Sequence, residues 1–122
     1  MPNPVVHFEV LGRDGEKLRQ FYADAFGWQM EEAAAGYAMA LPGGGGGING
    51  GVGKTDDGGP GYVTFYVEVD DLDEMLNKLE SLGGRRLMGP MDVPDGPTIA
   101  MFADPEGHPV GLVKAGSRGA RD

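Results

Sequence analysis

YVTFYVEVDD, residues 62–71, alternates Val63, Phe65, Val67 and Val69 with Tyr62, Thr64, Tyr66 and Glu68. A period of two puts the first set on one wholly apolar face and the second on a polar-aromatic face, which is the pattern of a half-buried strand. The apolar face needs a packing partner. The next residues supply it, because Leu72, Met75, Leu76 and Leu79 recur at helical spacing behind the capping signal Asp71-x-x-Glu74. The polar-aromatic face is left to line a pocket.

The same arrangement opens the chain. Residues 4–10, PVVHFEV, set Val6, Phe8 and Val10 against Val5, His7 and Glu9. Asp14 then suits a helix N-cap, Leu18, Phe21, Tyr22, Ala25 and Phe26 fall at helical spacing, and Gly27 suits the stop. Strand, helix and glycine stop thus occur twice, about 57 residues apart, as two copies of one unit would place them. Residues 28–32, 37–41 and 48–52 read as the strands that complete the first copy. Residues 85–91, 98–103 and 109–114 complete the second, which has Gly83-Gly84 as its helix stop and DPEG, residues 104–107, as a tight turn. Val6, Phe8, Val10, Val63, Phe65, Val67, Val110 and Leu112 are expected to face the helices. The organisation predicted is one domain over 1–122. It holds module one at 4–55, a turn-rich linker TDDGGPG at 55–61, module two at 62–114 and a disordered tail at 115–122.

Bulk composition excludes several classes. Nineteen acidic residues against ten basic ones give a formal net charge of −9, which repels phosphate backbones, so nucleic acid is not an expected partner. No apolar run approaches the roughly 18 residues of a membrane span, and MPNPVV lacks the basic and apolar regions of a secretory signal, which makes a cytoplasmic location the default. The absence of Cys removes disulfides, thiolate catalysis and thiolate zinc sites. The glycine run at 43–47 lacks the spacing and the following helix of a phosphate loop and reads as a hairpin loop. Arg85, Arg86, Arg118 and Arg121 read as solvated surface and a frayed end.

Four motifs, HFEV at 7–10, FYxxxFGW at 21–28, FYVEVDDLD at 65–73 and FADPEGHPVGLV at 102–113, stand in order on the predicted elements. Together they resemble the vicinal oxygen chelate superfamily, which includes glyoxalase I, extradiol dioxygenases and bleomycin-resistance proteins. The likeness covers residues 4–114. It implies an α+β fold in which tandem βαβββ modules form a cupped, barrel-like mixed sheet, with metal ligands on the first and last strand of each module.

Carried over residue by residue, those ligand positions fall on His7, Thr64 and Gly111, while the last strand of module one offers only Gly, Ile, Asn49 and Val. A catalytic divalent ion takes three or more protein ligands from imidazoles and carboxylates, so this set reads as a degenerate metal site and no cofactor is expected. The alternative is a displaced site for Ni, Zn, Mn or Fe, since period two puts His7 and Glu9 on one face and Glu68 on the corresponding face of its own strand. His7 reads first as a pocket-wall imidazole bonded to a carboxylate or hydroxyl, and His108 as an exposed loop residue. The position of the dioxygenases' acid-base tyrosine falls on Met101, which cannot transfer a proton. Tyr62, Tyr66 and Met101 suggest an apolar-aromatic wall or, equally, ordinary core or a dimer contact.

Three functions follow. The first is metal-free binding of a small organic ligand, in the manner of the superfamily's drug-sequestering proteins. The cup that holds the ligand would be lined by His7, Glu9, Thr64, Tyr66, Glu68 and Met101, with residues 43–47 as a lid. The second is a metal-dependent lyase, isomerase or dioxygenase using the displaced site. The third is an enzyme without metal that uses His7 with Glu9 or Glu68 as a general base. A homodimer is expected, because pairing adds core to a chain of 122 residues.

Overall fold

A computed structural model describes residues 2–41 and 46–118. Its elements run β1 (Val5–Gly12), α1 (Gly15–Phe26), β2 (Gln29–Ala34), β3 (Tyr37–Leu41), β4 (Gly50–Lys54), β5 (Tyr62–Val69), α2 (Leu72–Ser81), β6 (Arg85–Asp92), β7 (Thr98–Ala103) and β8 (Pro109–Lys114). Strand, helix and three strands therefore occur twice, and the class is α+β. Two compact units form, one of His7–Thr64 and one of Phe65–Asp122 together with Met1–Val6. The division falls inside β1 and β5, whereas the turn-rich stretch at 55–61 was the expected boundary. Residues 55–61 instead fold back within the N-terminal unit, through Thr55 N–H to the Gly12 carbonyl and the Thr55 hydroxyl to the Gly59 carbonyl.

In the N-terminal unit the strand order is β2-β3-β4-β1. β4 runs parallel to β1 and antiparallel to β3, with Glu9 opposite Gly51 and Gly51 opposite Met39. The last strand begins two residues later than the periodicity predicts, which leaves Asn49 outside it. Asp14 caps α1 by accepting the Lys17 N–H at 3.0 Å, and Gly27 ends it at φ 72°, a left-handed conformation that glycine adopts without a Cβ clash. Leu18 and Tyr22 of α1 pack with Phe8, Trp28 and Met30 around the buried Val10, Ala40 and Val52. Phe8 and Val10 thus face the helix, and the alternation of β1 sends His7 and Glu9 to the other side of the sheet.

The C-terminal unit repeats this plan in the order β5-β8-β7-β6, with β8 parallel to β5. Asp71 caps α2 through the Glu74 N–H at 2.9 Å, and the Gly84 N–H closes its last turn on the Leu79 carbonyl. Leu72 and Leu76 join Val69, Ala100 and Leu112 in the core, flanked by Val67, Met75, Leu79 and Phe102. The DPEG turn closes through Gly107 N–H to the Asp104 carbonyl at 2.8 Å.

Three expectations about packing are corrected. Val63 and Phe65 are 71% and 42% exposed rather than covered by a helix. A ten-residue helix spans about 15 Å and an eight-residue strand about 26 Å, so α2 covers Val67 and Val69 and ends before the start of β5. Val6 packs on Tyr66, Met101 and Val113, on the face of the C-terminal unit away from α2. Residues 115–118 are held rather than frayed: Ala115 N–H donates to the Val69 carbonyl at 2.8 Å and Thr98 N–H to the Ser117 hydroxyl at 3.1 Å. Residues 119–122 of the expected tail, and 43–45 of the expected lid, lie outside the described residues. Among the described residues no helix is long and apolar enough to cross a membrane.

Candidate ligand-binding site

On the face of the N-terminal unit away from α1, β4 presents Gly51 and Gly53 with no side chains. A Cβ at Gly51 would stand 1.6 Å from the Tyr37 hydroxyl oxygen, and one at Gly53 would stand 2.8 Å from Tyr37 Cδ1. The Tyr37 ring therefore reaches from β3 along the glycines of β4, and its hydroxyl arrives over β1. There it donates to Glu9 Oε2 at 3.0 Å and lies 3.1 Å from His7 Nε2. A phenol has one proton, so a hydroxyl that gives it to Glu9 receives its second bond from an N–H at His7 Nε2. Glu9 is only 8% exposed, and a buried carboxylate needs such a donor.

Tyr62 is part of the same surroundings. Burial, and then the negative charges of Glu9, Asp56 and Asp57, push its phenol above the ordinary value of 10.0. Thr64, at 6% exposure, is the last residue of this unit.

The C-terminal unit holds a parallel arrangement. Tyr66, Gly111 and Met101 stand opposite one another in register, as Glu9, Gly51 and Met39 do in the first copy. A Cβ at Gly111 would stand 2.4 Å from Tyr66 Cδ2 and Cε2, so here too a tyrosine ring rests on the last strand. Tyr66 and Met101 are both 7% exposed and packed with Val113, Val6, Met88 and Ile99. Glu68, on the same face by alternation, lies 3.5 Å from Arg118, which also donates to the Val6 carbonyl at 3.2 Å. His108 is a surface residue, with its side chain 72% exposed and paired to Asp104 at 2.9 Å. Those bonds from His108 hold the Asp104 carboxyl below its ordinary range.

His7 and Glu9 are thus joined through a third residue that the sequence reading did not select. Tyr37 was visible there only indirectly: a last strand reading GGVGK has lost the side chains that would fill its face, and a large neighbour must cover it. Arg118, read as part of a frayed end, is the other residue missed.

These residues do not suit the metal that the fold implies. Two of the family ligand positions are a neutral threonine and a glycine whose Cβ direction is filled by a ring, and the last strand of the first copy is closed in the same way by Tyr37. Among the described residues no three His, Asp or Glu side chains gather as a metal set would.

The sequence pattern that defines the Glyoxalase/Bleomycin resistance protein/Dioxygenase superfamily matches residues 5–112, and the chain belongs to that superfamily. A glyoxylase-like domain-containing protein of Didymella fabae is 30% identical, with 82% of this chain and 84% of that protein covered. CFP32 of Mycobacterium tuberculosis, whose name assigns it provisionally to the glyoxylases, is 29% identical over 84% of this chain. This chain spans only 42% of that protein's length. Methylmalonyl-CoA epimerase from Mycobacterium tuberculosis shares the fold with a TM-score of 0.64 and 20% identity, over 90% of this chain and 86% of the epimerase.

Proposed function

We propose that this chain binds a small organic ligand on the sheet face bearing His7, Tyr37 and Glu9, and that it does so without a divalent ion. The observation that carries this reading is the Tyr37 hydroxyl bonded to both Glu9 and His7 over a strand of glycines. An imidazole that donates from Nε2 to a phenol does not offer that nitrogen to a metal. A few polar groups fixed on a sheet face are the kind of anchors by which an organic-ligand site sets orientation. Sequestration of a toxic compound is one use of such a site. The relatives named as glyoxylases support the superfamily rather than this chemistry. A thermal-shift and calorimetric screen of small aromatic compounds, with and without chelator, tests the reading. Saturable binding indifferent to chelator is expected. Binding that appears only with an added divalent ion would contradict it.

The hydrogen-bonded chain also favours a second reading, in which His7, steered by Glu9 through Tyr37, acts as a general base without metal. Turnover with a pH dependence lost in His7→Ala would establish that reading over simple sequestration.

A further inference from the structure

We propose that Asp57 is a site of covalent self-modification, at which the side-chain carboxyl closes on the backbone nitrogen of Gly58 to form a cyclic imide that reopens as isoaspartate. Asp57 lies in the turn at residues 55–61, and the ligand-binding reading above does not depend on it. The residue that follows is a glycine, which obstructs such an attack least because it carries no Cβ.

The chain holds the same pair again at Asp95-Gly96, and geometry distinguishes the two. Asp57 Oδ1 accepts the Gly59 N–H at 2.9 Å, which folds the carboxyl over the intervening peptide and holds its carbon beside the Gly58 nitrogen. Gly58 is exposed, at φ 73°, and its N–H makes no hydrogen bond among the described residues. That nitrogen is open to solvent and uncommitted. At the second pair the nitrogen is engaged: the Gly96 N–H donates to the Val93 carbonyl at 2.9 Å, inside a turn that the Val93 N–H closes on the Pro97 carbonyl at 2.9 Å. No hydrogen bond among the described residues folds the Asp95 carboxyl over its neighbour. Asn49 also precedes a glycine, but Gly50 is a buried strand residue in register with Phe8, and its nitrogen is not open to solvent.

The step balances without oxidant, metal or cofactor. The Gly58 nitrogen bonds to Asp57 Cγ, and one carboxyl oxygen leaves as water with the carboxyl proton and the proton from that nitrogen. Water then adds to either carbonyl of the imide. Breaking the new bond regenerates aspartate. Breaking the original main-chain bond leaves the chain running through Cβ and Cγ, one carbon longer, with a free carboxylate. The turn has little room for that carbon, because Thr55 is tied to the Gly12 and Gly59 carbonyls at 2.9 and 3.1 Å, and Gly61 lies so close to Leu11 that a Cβ would stand 1.8 Å from its carbonyl oxygen. Tyr62, the next residue, therefore feels the change.

The test incubates the full chain in water enriched in heavy oxygen, at neutral pH and warm but below its melting point. A second sample is kept unfolded in guanidinium chloride at the same temperature until it shows isoaspartate at both 57 and 95, each located by electron-transfer fragmentation in a mass spectrometer. In the folded chain, isoaspartate carrying heavy oxygen is expected at 57 at least as fast as in the unfolded chain, and at 95 far more slowly. Asp57→Glu, whose longer side chain would have to close a larger ring, should abolish the product at 57, with folding checked by its melting curve. The Tyr62 ring resonances should move as the product accumulates in the unmodified sequence and stay fixed in aged Asp57→Glu. Equal rates at 57 and 95 in the folded chain, a folded-state rate at 57 below the unfolded one, or isoaspartate without heavy oxygen would each overturn the site. Product at 57 with unmoved Tyr62 resonances would overturn its reach to Tyr62.

Discussion

Glycine at positions 51 and 111 lets a tyrosine ring rest on the last strand of each copy, and the consequence can be measured where the ring is core. Gly111→Ala sets a methyl group 2.4 Å from the Tyr66 ring, an overpacking that should cost about 1–3 kcal/mol in urea unfolding. Gly46→Ala, with nothing within 4 Å of the added group, should stay within about 0.5 kcal/mol. Equal effects at the two sites would show that the ring does not lie where the structure places it. Tyr62 gives a second prediction. Burial and the charges of Glu9, Asp56 and Asp57 raise its pKa above 10.0, so the stability tied to its neutral phenol is complete below about pH 10 and is lost as pH rises through the folded-state value. Glu9→Gln removes one of those charges and should move the titration downward, followed by NMR of labelled tyrosine. No movement would mean that Glu9 and Tyr62 do not sense one another.

The helices and strands follow from signals that are local in sequence, which is why most of them were legible. Asp14 and Asp71 stand at the N-caps that their positions predict, and both βαβββ copies appear with most boundaries within two residues. Asp71→Ala should lower stability by about 1 kcal/mol, as loss of an N-cap does, and Leu76→Ala by about 2–5 kcal/mol because its side chain is fully buried. Chemical denaturation would check both, and a Leu76→Ala cost near zero would mean that α2 is not docked on its sheet. The unread features depend on distance along the chain. Exposure of Val63 and Phe65 follows from α2 being shorter than β5, and periodicity carries no information about how far a helix reaches. The His7–Tyr37–Glu9 connection depends on the register of β3 against β4 and on a ring crossing bare glycines. Arg118 bonds to Val6 across 112 positions of sequence. His7 and Glu9 were legible as site candidates because alternation alone puts them on one face. Tyr37 was not, because its role exists only once three strands are aligned.

At the scale of the whole molecule, the chain carries a net charge of −9 and still exposes Phe21 and Phe26 of α1 at 61% and 62%, in ring contact with Tyr22 and with Trp28 just beyond the helix. Apolar surface of that kind, on a chain of 122 residues, is consistent with the homodimer that we propose. Light scattering at tens of micromolar, roughly, should return about twice the 12.8 kDa chain mass. A monomer at that concentration would count against pairing. The central claim, that the fold and its ligand site need no divalent ion, is tested most directly by metal analysis. The protein is purified without chelator or affinity tag, assayed for bound metal, and melted with and without excess Ni, Zn, Mn or Fe(II). The account predicts no stoichiometric metal and an unchanged melting temperature. An ion that binds only the folded state would add about 2.7 kcal/mol at a hundredfold excess over its dissociation constant. Stoichiometric metal, with both the metal and the melting shift abolished by His7→Ala, would contradict the account and restore a displaced metal site at His7.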